Sequence, residues 1–156
     1  MMYKTISLKK LLLSVAFPLA IGILASLVTG GNTAIYSDLV KPPFSPPGWL
    51  FPIVWTIMYI LMGIAAYFVS FQIDARSTAM RIYYVQLAFN FLWPILFFRF
   101  EMFRTALFVL VALWVLVLLN TLMFYRLEKR AGLLLIPYLI WVTFALYLNI
   151  GIAVLN

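Results

Sequence analysis

Long uncharged stretches make up most of this chain, and short charged segments separate them. About 20 consecutive apolar residues form a helix that crosses the hydrocarbon core of a bilayer. Stretches without Asp, Glu, Lys or Arg cover residues 11–37, 42–73, 82–98, 105–125 and 131–156. The pattern therefore predicts five membrane-spanning helices, near residues 8–29, 47–71, 80–99, 105–125 and 132–154.

These stretches are apolar on all sides, which favours helices over the alternating strands of a membrane barrel. We predict an all-α integral membrane protein, with residues 1–156 forming one bundle of five transmembrane helices and a proline-rich loop at residues 31–46. Lys4, Lys9 and Lys10 precede the first apolar stretch, as in a secretory signal peptide. Because that stretch is long and no small-residue cleavage site follows it, we expect a retained helix.

Composition supports a membrane environment and excludes several kinds of chemistry. The chain is 67% apolar and 10% charged, whereas a soluble domain is about half apolar and a quarter charged. It has neither Cys nor His, so disulfides, thiolate or imidazole metal sites and the usual general base are excluded. We expect no metal site and no cofactor.

The distribution of basic residues predicts orientation rather than nucleic-acid binding. The net charge is +7, but the basic residues are scattered between apolar stretches and form no continuous patch. With five spans, the side of the N-terminus carries eight basic residues and the other side three. The positive-inside rule then places the N-terminus in the cytoplasm and the C-terminus outside.

No acid or base lies near the middle of a predicted span, and this argues against an ion-coupled pump. The first span instead carries small residues every four positions: Ser14, Pro18, Gly22, Ser26 and Gly30. Such a stripe lets helix backbones approach closely. We expect it to pack inside the bundle, with dimerisation or one wall of a ligand cavity as alternatives.

Three other spans each carry an aromatic or amide face at helical spacing. The second span has Trp55, Tyr59, Met62 and Ala66, the third has Gln86, Asn90, Trp93 and Phe97, and the fifth has Tyr138, Trp141, Ala145 and Asn149. Amides in hydrocarbon should point inward and find partners. Each residue alone fits hydrogen-bonded packing, but the three faces together favour a cavity that binds a small molecule.

The loop before the second span contains Lys41-Pro-Pro-Phe-Ser-Pro-Pro-Gly-Trp49. Proline stiffens such a segment, and Ser45 with Pro46 fits the start of a helix. The loop could therefore begin the second helix, form a semi-rigid lid over the outer end of the bundle, or do both.

These residues together resemble the translocator protein family, also known as tryptophan-rich sensory proteins or peripheral-type benzodiazepine receptors. The resemblance covers essentially the whole chain. It rests on the loop from Tyr36 to Trp49 with Trp55 and Tyr59, on Gln86-Leu-Ala-x-Asn90-x-x-Trp93-Pro94, and on Pro137-Tyr138-Leu-x-Trp141-x-x-Phe-Ala145.

The resemblance implies five transmembrane helices and a pocket under the first loop. It implies that the pocket binds tetrapyrroles such as protoporphyrin IX, isoquinoline carboxamides and benzodiazepines, with Trp55 and Trp141 linked to light-dependent porphyrin breakdown. The family's lid corresponds to Pro42 through Trp49, and its pocket to Trp55, Asn90, Trp93, Trp141 and Ala145. With the neighbouring aromatic faces, the expected ligand-binding set is Pro42, Phe44, Trp49, Phe51, Trp55, Tyr59, Asn90, Trp93, Tyr138, Trp141 and Ala145.

The sequence departs from the family pattern at two places. No basic residue follows Tyr147, although the cholesterol motif of animal members requires one. Ala88 is followed four residues later by Leu92, so the small-residue dimer motif of the third helix is missing. The first departure argues against cholesterol recognition and the second against dimerisation through the third helix, while a homodimer stays open as an alternative.

Three functions remain open at this point. The first is a membrane receptor or carrier for tetrapyrroles or other hydrophobic small molecules, in contact with membrane lipid. The second is an enzyme that degrades porphyrin with light and oxygen, using Trp55 and Trp141. The third is a ligand-gated sensor that acts through a protein partner.

Overall fold

The computed structural model describes residues 7–31, 34–72, 74 and 77–156. Every regular element in these residues is helical. They form α1 (Leu8–Thr29), α2 (Ala34–Asp38), α3 (Leu50–Val69), α4 (Thr78–Pro94), a π-helical turn (Ile95–Arg99) that continues α4, α5 (Phe103–Leu127) and α6 (Lys129–Leu155). The all-helical prediction is confirmed for the described part of the chain. When the π-helical turn is counted with α4, each long helix begins and ends within three residues of a predicted span.

Four of the described helices are long and apolar enough to cross a membrane, namely α1, α3, α5 and α6. The remaining long helix, α4, has 17 residues before the π-helical turn. These helices support a multi-pass membrane protein with at least four candidate spans.

Local signals in the sequence fix several helix ends. The Ser7 hydroxyl accepts a hydrogen bond from the backbone N–H of Lys10 and begins α1. Gly30 ends that helix with φ +70°, a left-handed conformation that glycine adopts without steric cost. Ser77 begins α4 in the same way as Ser7 begins α1. The Glu128 side chain accepts from the N–H of Arg130 and separates α5 from α6 within a single residue.

The long helices pack in a closed ring in which each contacts its two neighbours. The order around the ring is α1, α3, α6, α5, α4 and back to α1. Only Pro18 and Ala25 of α1 are buried, whereas each of the other long helices buries at least seven residues. α1 is therefore the wall with the fewest buried side chains.

The small residues of α1 let it approach α3 closely. A Cβ on Gly63 would lie 2.4 Å from the Cα atom of Val15, and the Ser14 hydroxyl donates to the Gly63 carbonyl over 2.8 Å. About two helical turns further along α1, a Cβ on Gly22 would lie 2.3 Å from the Tyr59 ring. Part of the predicted small-residue stripe thus packs against a neighbouring helix.

The π-helical turn changes the side-chain phase at the end of α4. Pro94 lacks the N–H needed for the next α-helical bond, and the chain closes a wider turn in which Phe100 donates to the Ile95 carbonyl. As a result, both Phe97 and Phe98 are buried inside the bundle.

Candidate functional site

A buried hydrogen-bond network ties three of the predicted faces together. The Tyr59 hydroxyl donates to the Asn90 side-chain oxygen over 2.9 Å. The Asn90 amide donates to the Tyr138 hydroxyl over 2.6 Å, and that hydroxyl donates to the Gln86 oxygen over 2.8 Å. The chain ends at the sulfur of Met62, 3.5 Å from the Gln86 amide nitrogen. The convergence of α3, α4 and α6 follows from these contacts.

A second pair of bonds fixes Trp93. Its indole N–H donates to the Asn149 side-chain oxygen over 3.0 Å. The Asn149 amide then donates to the carbonyl of Phe103, at the start of α5, over 2.9 Å. Trp93 is therefore held in one orientation by groups from α5 and α6.

Between α1 and the aromatic faces of α3 and α4 lies a cleft of about 290 Å³, which we call the aromatic cleft. Trp55 packs against Trp93, with ring centroids 6.0 Å apart. Within the described residues, the Trp55 indole N–H has no hydrogen-bond partner. The lining is Leu19, Gly22, Ile23, Ala25, Ser26, Thr29, Gly31, Phe51, Pro52, Trp55, Thr56, Tyr59, Asn90, Trp93, Pro94 and Phe98.

The structure brings part of the predicted ligand-binding set to this cleft. Its lining includes Phe51, Trp55, Tyr59, Asn90 and Trp93.

Three predicted residues lie behind that wall and do not line the aromatic cleft. The Tyr138 and Trp141 rings lie 6.2 and 6.5 Å from the Trp55 ring. Ala145 borders a void of about 10 Å³ beneath Phe51 and Trp93. Helical phase and the family resemblance indicate the face of α6 on which these residues lie, but neither tells which neighbouring helix covers that face.

The other three predicted residues lie on the first loop, outside the lining of the cleft. Phe44 and Trp49 are both exposed. The Phe44 side chain is 91% exposed, and its backbone has φ +63°. Pro42 packs on Gly151 of α6, where an added Cβ would lie 2.5 Å from the proline ring. Pro42 therefore holds the loop on the bundle.

Most of the wall that α1 contributes is absent from the predicted ligand-binding set. The residues of that wall are Leu19, Gly22, Ile23, Ala25, Ser26 and Thr29. The signal for part of it was present, because Gly22 and Ser26 belong to the small-residue stripe for which a cavity wall was one alternative.

The first loop is fastened to the C-terminal end of α6. The side chain of Asn156 accepts from the N–H of Val40 over 3.1 Å and donates to the carbonyl of the same residue over 2.9 Å. The Tyr147 hydroxyl donates to the Pro43 carbonyl over 2.8 Å. The loop thus covers one end of the bundle, as a lid would.

Polar groups within the loop are used by the loop itself. The Lys41 ammonium donates to the carbonyls of Tyr36, Ser37 and Leu39 over 2.9–3.0 Å. The Ser45 hydroxyl donates to the Pro42 carbonyl over 2.6 Å. The prediction that Ser45 begins the next helix is wrong, because α3 begins at Leu50 after Trp49.

Tyr36 anchors the loop from below. Its ring is buried and packs edge-on against Phe51 with centroids 5.0 Å apart. Burial raises the pKa of the Tyr36 phenol above its ordinary value. The hydroxyl therefore stays neutral, and Tyr36 itself holds the loop by apolar contact.

These features define a polytopic helical membrane protein with an aromatic cleft beneath a fastened loop. The TspO/MBR family model matches residues 14–155, so the chain belongs to the TspO/MBR family.

Three curated relatives show the extent of the similarity. The tryptophan-rich sensory protein of Cereibacter sphaeroides is 42% identical over 121 residues, which cover 78% of this chain and 76% of the relative. Tryptophan-rich protein TspO of Chlorobaculum tepidum is 39% identical over 150 residues, covering 94% and 95%. The translocator protein of Homo sapiens is 32% identical over 126 residues, covering 78% and 75%.

Proposed function

We propose that this protein is a membrane receptor or carrier that binds flat aromatic amphiphiles in the aromatic cleft, foremost tetrapyrroles such as protoporphyrin IX. Isoquinoline carboxamide and benzodiazepine-type ligands share the flat aromatic character and are proposed for the same site. The observation that carries the proposal is the wall of Phe51, Trp55, Trp93 and Phe98 facing the small residues of α1. Aromatic rings stack on such a wall with a gain beyond that of buried area.

The size of the cleft suggests how a large ring enters. Its volume of about 290 Å³ is at the lower end of the range for ligand pockets. We propose that one edge of a macrocycle enters between Trp55 and α1, which both line the cleft. Since α1 buries only Pro18 and Ala25, an outward shift of this helix is the least costly way to admit the rest.

The polar groups of the cleft divide into two kinds. Asn90 already uses its oxygen and its amide nitrogen in bonds to Tyr59 and Tyr138, so its role is to hold the wall in place. The Trp55 indole N–H is free among the described residues. It is the donor that we assign to a ligand carboxylate or carbonyl.

Binding is tested by titrating protoporphyrin IX into detergent-solubilised protein and following the porphyrin absorbance. Ile23 and Leu24 are adjacent on α1 and 60% and 53% exposed, but only Ile23 lines the cleft. We expect Ile23→Trp to weaken binding about tenfold or more by filling the cleft, while Leu24→Trp leaves it unchanged. Equal affinity of both variants and the wild type would place the ligand elsewhere.

The proposed arrangement in the membrane has five spans in one domain. α4 and the π-helical turn together cover residues 78–99, which is 22 residues and about 30 Å at the rise of a helix. This length matches the hydrocarbon core. The basic asymmetry supports an N-terminus in the cytoplasm.

Orientation is tested by single cysteines, since the chain has none of its own. Phe44 and Lys129 are exposed at opposite ends of the bundle. An impermeant thiol reagent added to intact cells should label Phe44→Cys and spare Lys129→Cys. The reverse pattern would invert the proposed topology.

One observation favours a second function, the breakdown of porphyrin by light and oxygen. Trp55, at the cleft, contacts Trp93 and Trp141 at 6.0 and 6.5 Å. Such a cluster can pass an electron from one indole to the next, with molecular oxygen as the oxidant.

This alternative predicts that Trp141→Phe keeps binding, because the residue does not line the cleft, but loses illuminated breakdown of protoporphyrin. The matched control is Trp114→Phe, whose indole bonds to Thr143 outside the cleft. If Trp141→Phe degrades protoporphyrin at the wild-type rate, or if the wild type degrades it equally fast with and without oxygen, the breakdown hypothesis fails. Only the binding function then remains.

A further inference from the structure

The bundle has a second cleft at the end opposite the loop. It lies between the start of α1, the end of α3 and the start of α4, and its volume is about 490 Å³. Its lining includes Lys10, Leu13, Phe17, Tyr67 and Tyr83. We call it the basic-end cleft, and the proposed functions do not use it.

The charges around this end are predominantly positive. The described residues near the ends of the helices here include the basic side chains of Lys9, Lys10, Arg81, Arg126, Lys129 and Arg130, against the acidic Asp74 and Glu128. Six basic and two acidic groups leave a net charge of +4. Only Lys10 among the basic residues lines the cleft.

The interior of the cleft is mainly apolar with one exposed cation at its rim. From Lys10 to Phe17 it follows α1 over seven residues, which is about 10 Å along the helix axis. Phe17 limits the far end, where its ring packs edge-on against Tyr84 with centroids 5.9 Å apart. The shape is thus an apolar channel that starts at a positive charge.

Tyr83 lines the cleft, but its hydroxyl is buried. The residue is 2% exposed, and its hydroxyl has no hydrogen-bond partner among the described residues. Because this hydroxyl oxygen is inaccessible, a ligand in the cleft does not reach it, and Tyr83 contributes only the accessible edge of its side chain to the lining.

We propose that the basic-end cleft binds one anionic phospholipid, with the upper part of an acyl chain along α1 and the phosphate at Lys10. An apolar channel of this length suits the part of an acyl chain nearest the headgroup. The +4 end selects a negative headgroup over a zwitterionic one.

The proposal is tested by native mass spectrometry of the whole protein released from detergent with added lipid. Dioleoyl-phosphatidylglycerol is compared with dioleoyl-phosphatidylcholine, which has the same chains and no net charge, and with oleate, which has the charge and one chain. We expect a single retained phosphatidylglycerol at concentrations at which phosphatidylcholine and oleate are not retained.

Two matched pairs of variants locate the bound lipid. Lys10→Gln should weaken phosphatidylglycerol binding about fivefold, whereas Lys9→Gln removes the same charge one residue away, outside the lining, and should change it less than twofold. Leu13→Trp should fill the cleft and abolish the adduct. Leu12 is as exposed as Leu13 but does not line the cleft, so Leu12→Trp should retain it.

Equal effects of Lys9→Gln and Lys10→Gln would mean general attraction to anionic lipid and would overturn the proposal. Equal retention of the two phospholipids, preferential retention of oleate, or an adduct that survives Leu13→Trp would overturn it as well.

Discussion

The two buried tyrosines Tyr138 and Tyr83 provide a matched test of the network. Both are nearly inaccessible, at 1% and 2% exposed, and lie on helices that pack inside the bundle. The Tyr138 hydroxyl makes two side-chain hydrogen bonds, to Asn90 and Gln86. The Tyr83 hydroxyl makes none with the described residues. Replacing each by Phe removes one oxygen atom and keeps the ring.

The expected costs differ because of the partners left behind. A hydrogen bond between membrane helices is worth about 0.6 kcal/mol on average and up to about 1.7 kcal/mol. Tyr138→Phe removes two and leaves a buried amide nitrogen and a buried amide oxygen short of a partner, which adds a desolvation cost of about 1–3 kcal/mol. We expect a loss of about 2–4 kcal/mol in the free energy of unfolding.

For Tyr83→Phe we expect a change within about 0.5 kcal/mol, or a small gain in stability, since the removed hydroxyl has no partner to lose. The measurement is unfolding in mixed micelles of dodecyl sulfate and a mild detergent, without added lipid or porphyrin, followed by tryptophan fluorescence. Equal destabilisation of the two variants would refute the network as a source of stability. So would a Tyr138→Phe protein as stable as the wild type.

Three further predictions concern packing, the loop and the cleft. Gly63→Ala should cost about 1–3 kcal/mol in the same unfolding assay, because the new methyl meets the α1 backbone at Val15; an unchanged midpoint would contradict this close approach. Asn156→Ala should speed hydrogen exchange at the Val40 amide, which donates to Asn156, and leave exchange in the middle of α5 unchanged; equal protection at Val40 would show that the loop does not depend on this contact. Trp55→Phe should weaken protoporphyrin affinity about three- to tenfold by removing the free indole N–H and part of the wall, measured by porphyrin absorbance with Trp114→Phe as the control, and an undiminished affinity would remove Trp55 from the proposed site.

The part of the site that lies on α3 and α4 could be predicted from the sequence. Helical phase correctly places Trp55 and Tyr59 on one face, and Asn90 and Trp93 on another, because residues three and four apart share a side of any α-helix. The inward direction of Asn90 also follows from the sequence, since an amide facing lipid has no partner. These residues do meet at the aromatic cleft.

Other parts of the site were beyond reach of the sequence. Trp141 and Ala145 share a face of α6 with Tyr138. In the ring of helices, α3 lies between α1 and α6, so these residues contact the side of the aromatic wall that faces away from the cleft. The π-helical turn after Pro94 shifts the phase by part of a turn and brings Phe98 to the cleft. The fastening of Val40 to Asn156 joins residues 116 positions apart, and no local pattern predicts such a contact.

By itself the sequence determines that the chain is helical and belongs in a membrane, and it determines where the long helices lie. The reason is local: long apolar stretches can be accommodated only in lipid, and lipid requires each stretch to satisfy its own backbone hydrogen bonds. Only the tertiary structure decides which helix faces are opposed, that α1 closes the aromatic cleft, and that the loop rests on α6. Those features depend on contacts between distant segments, such as Gly63 against the backbone of Val15, and these arise only when the helices pack together.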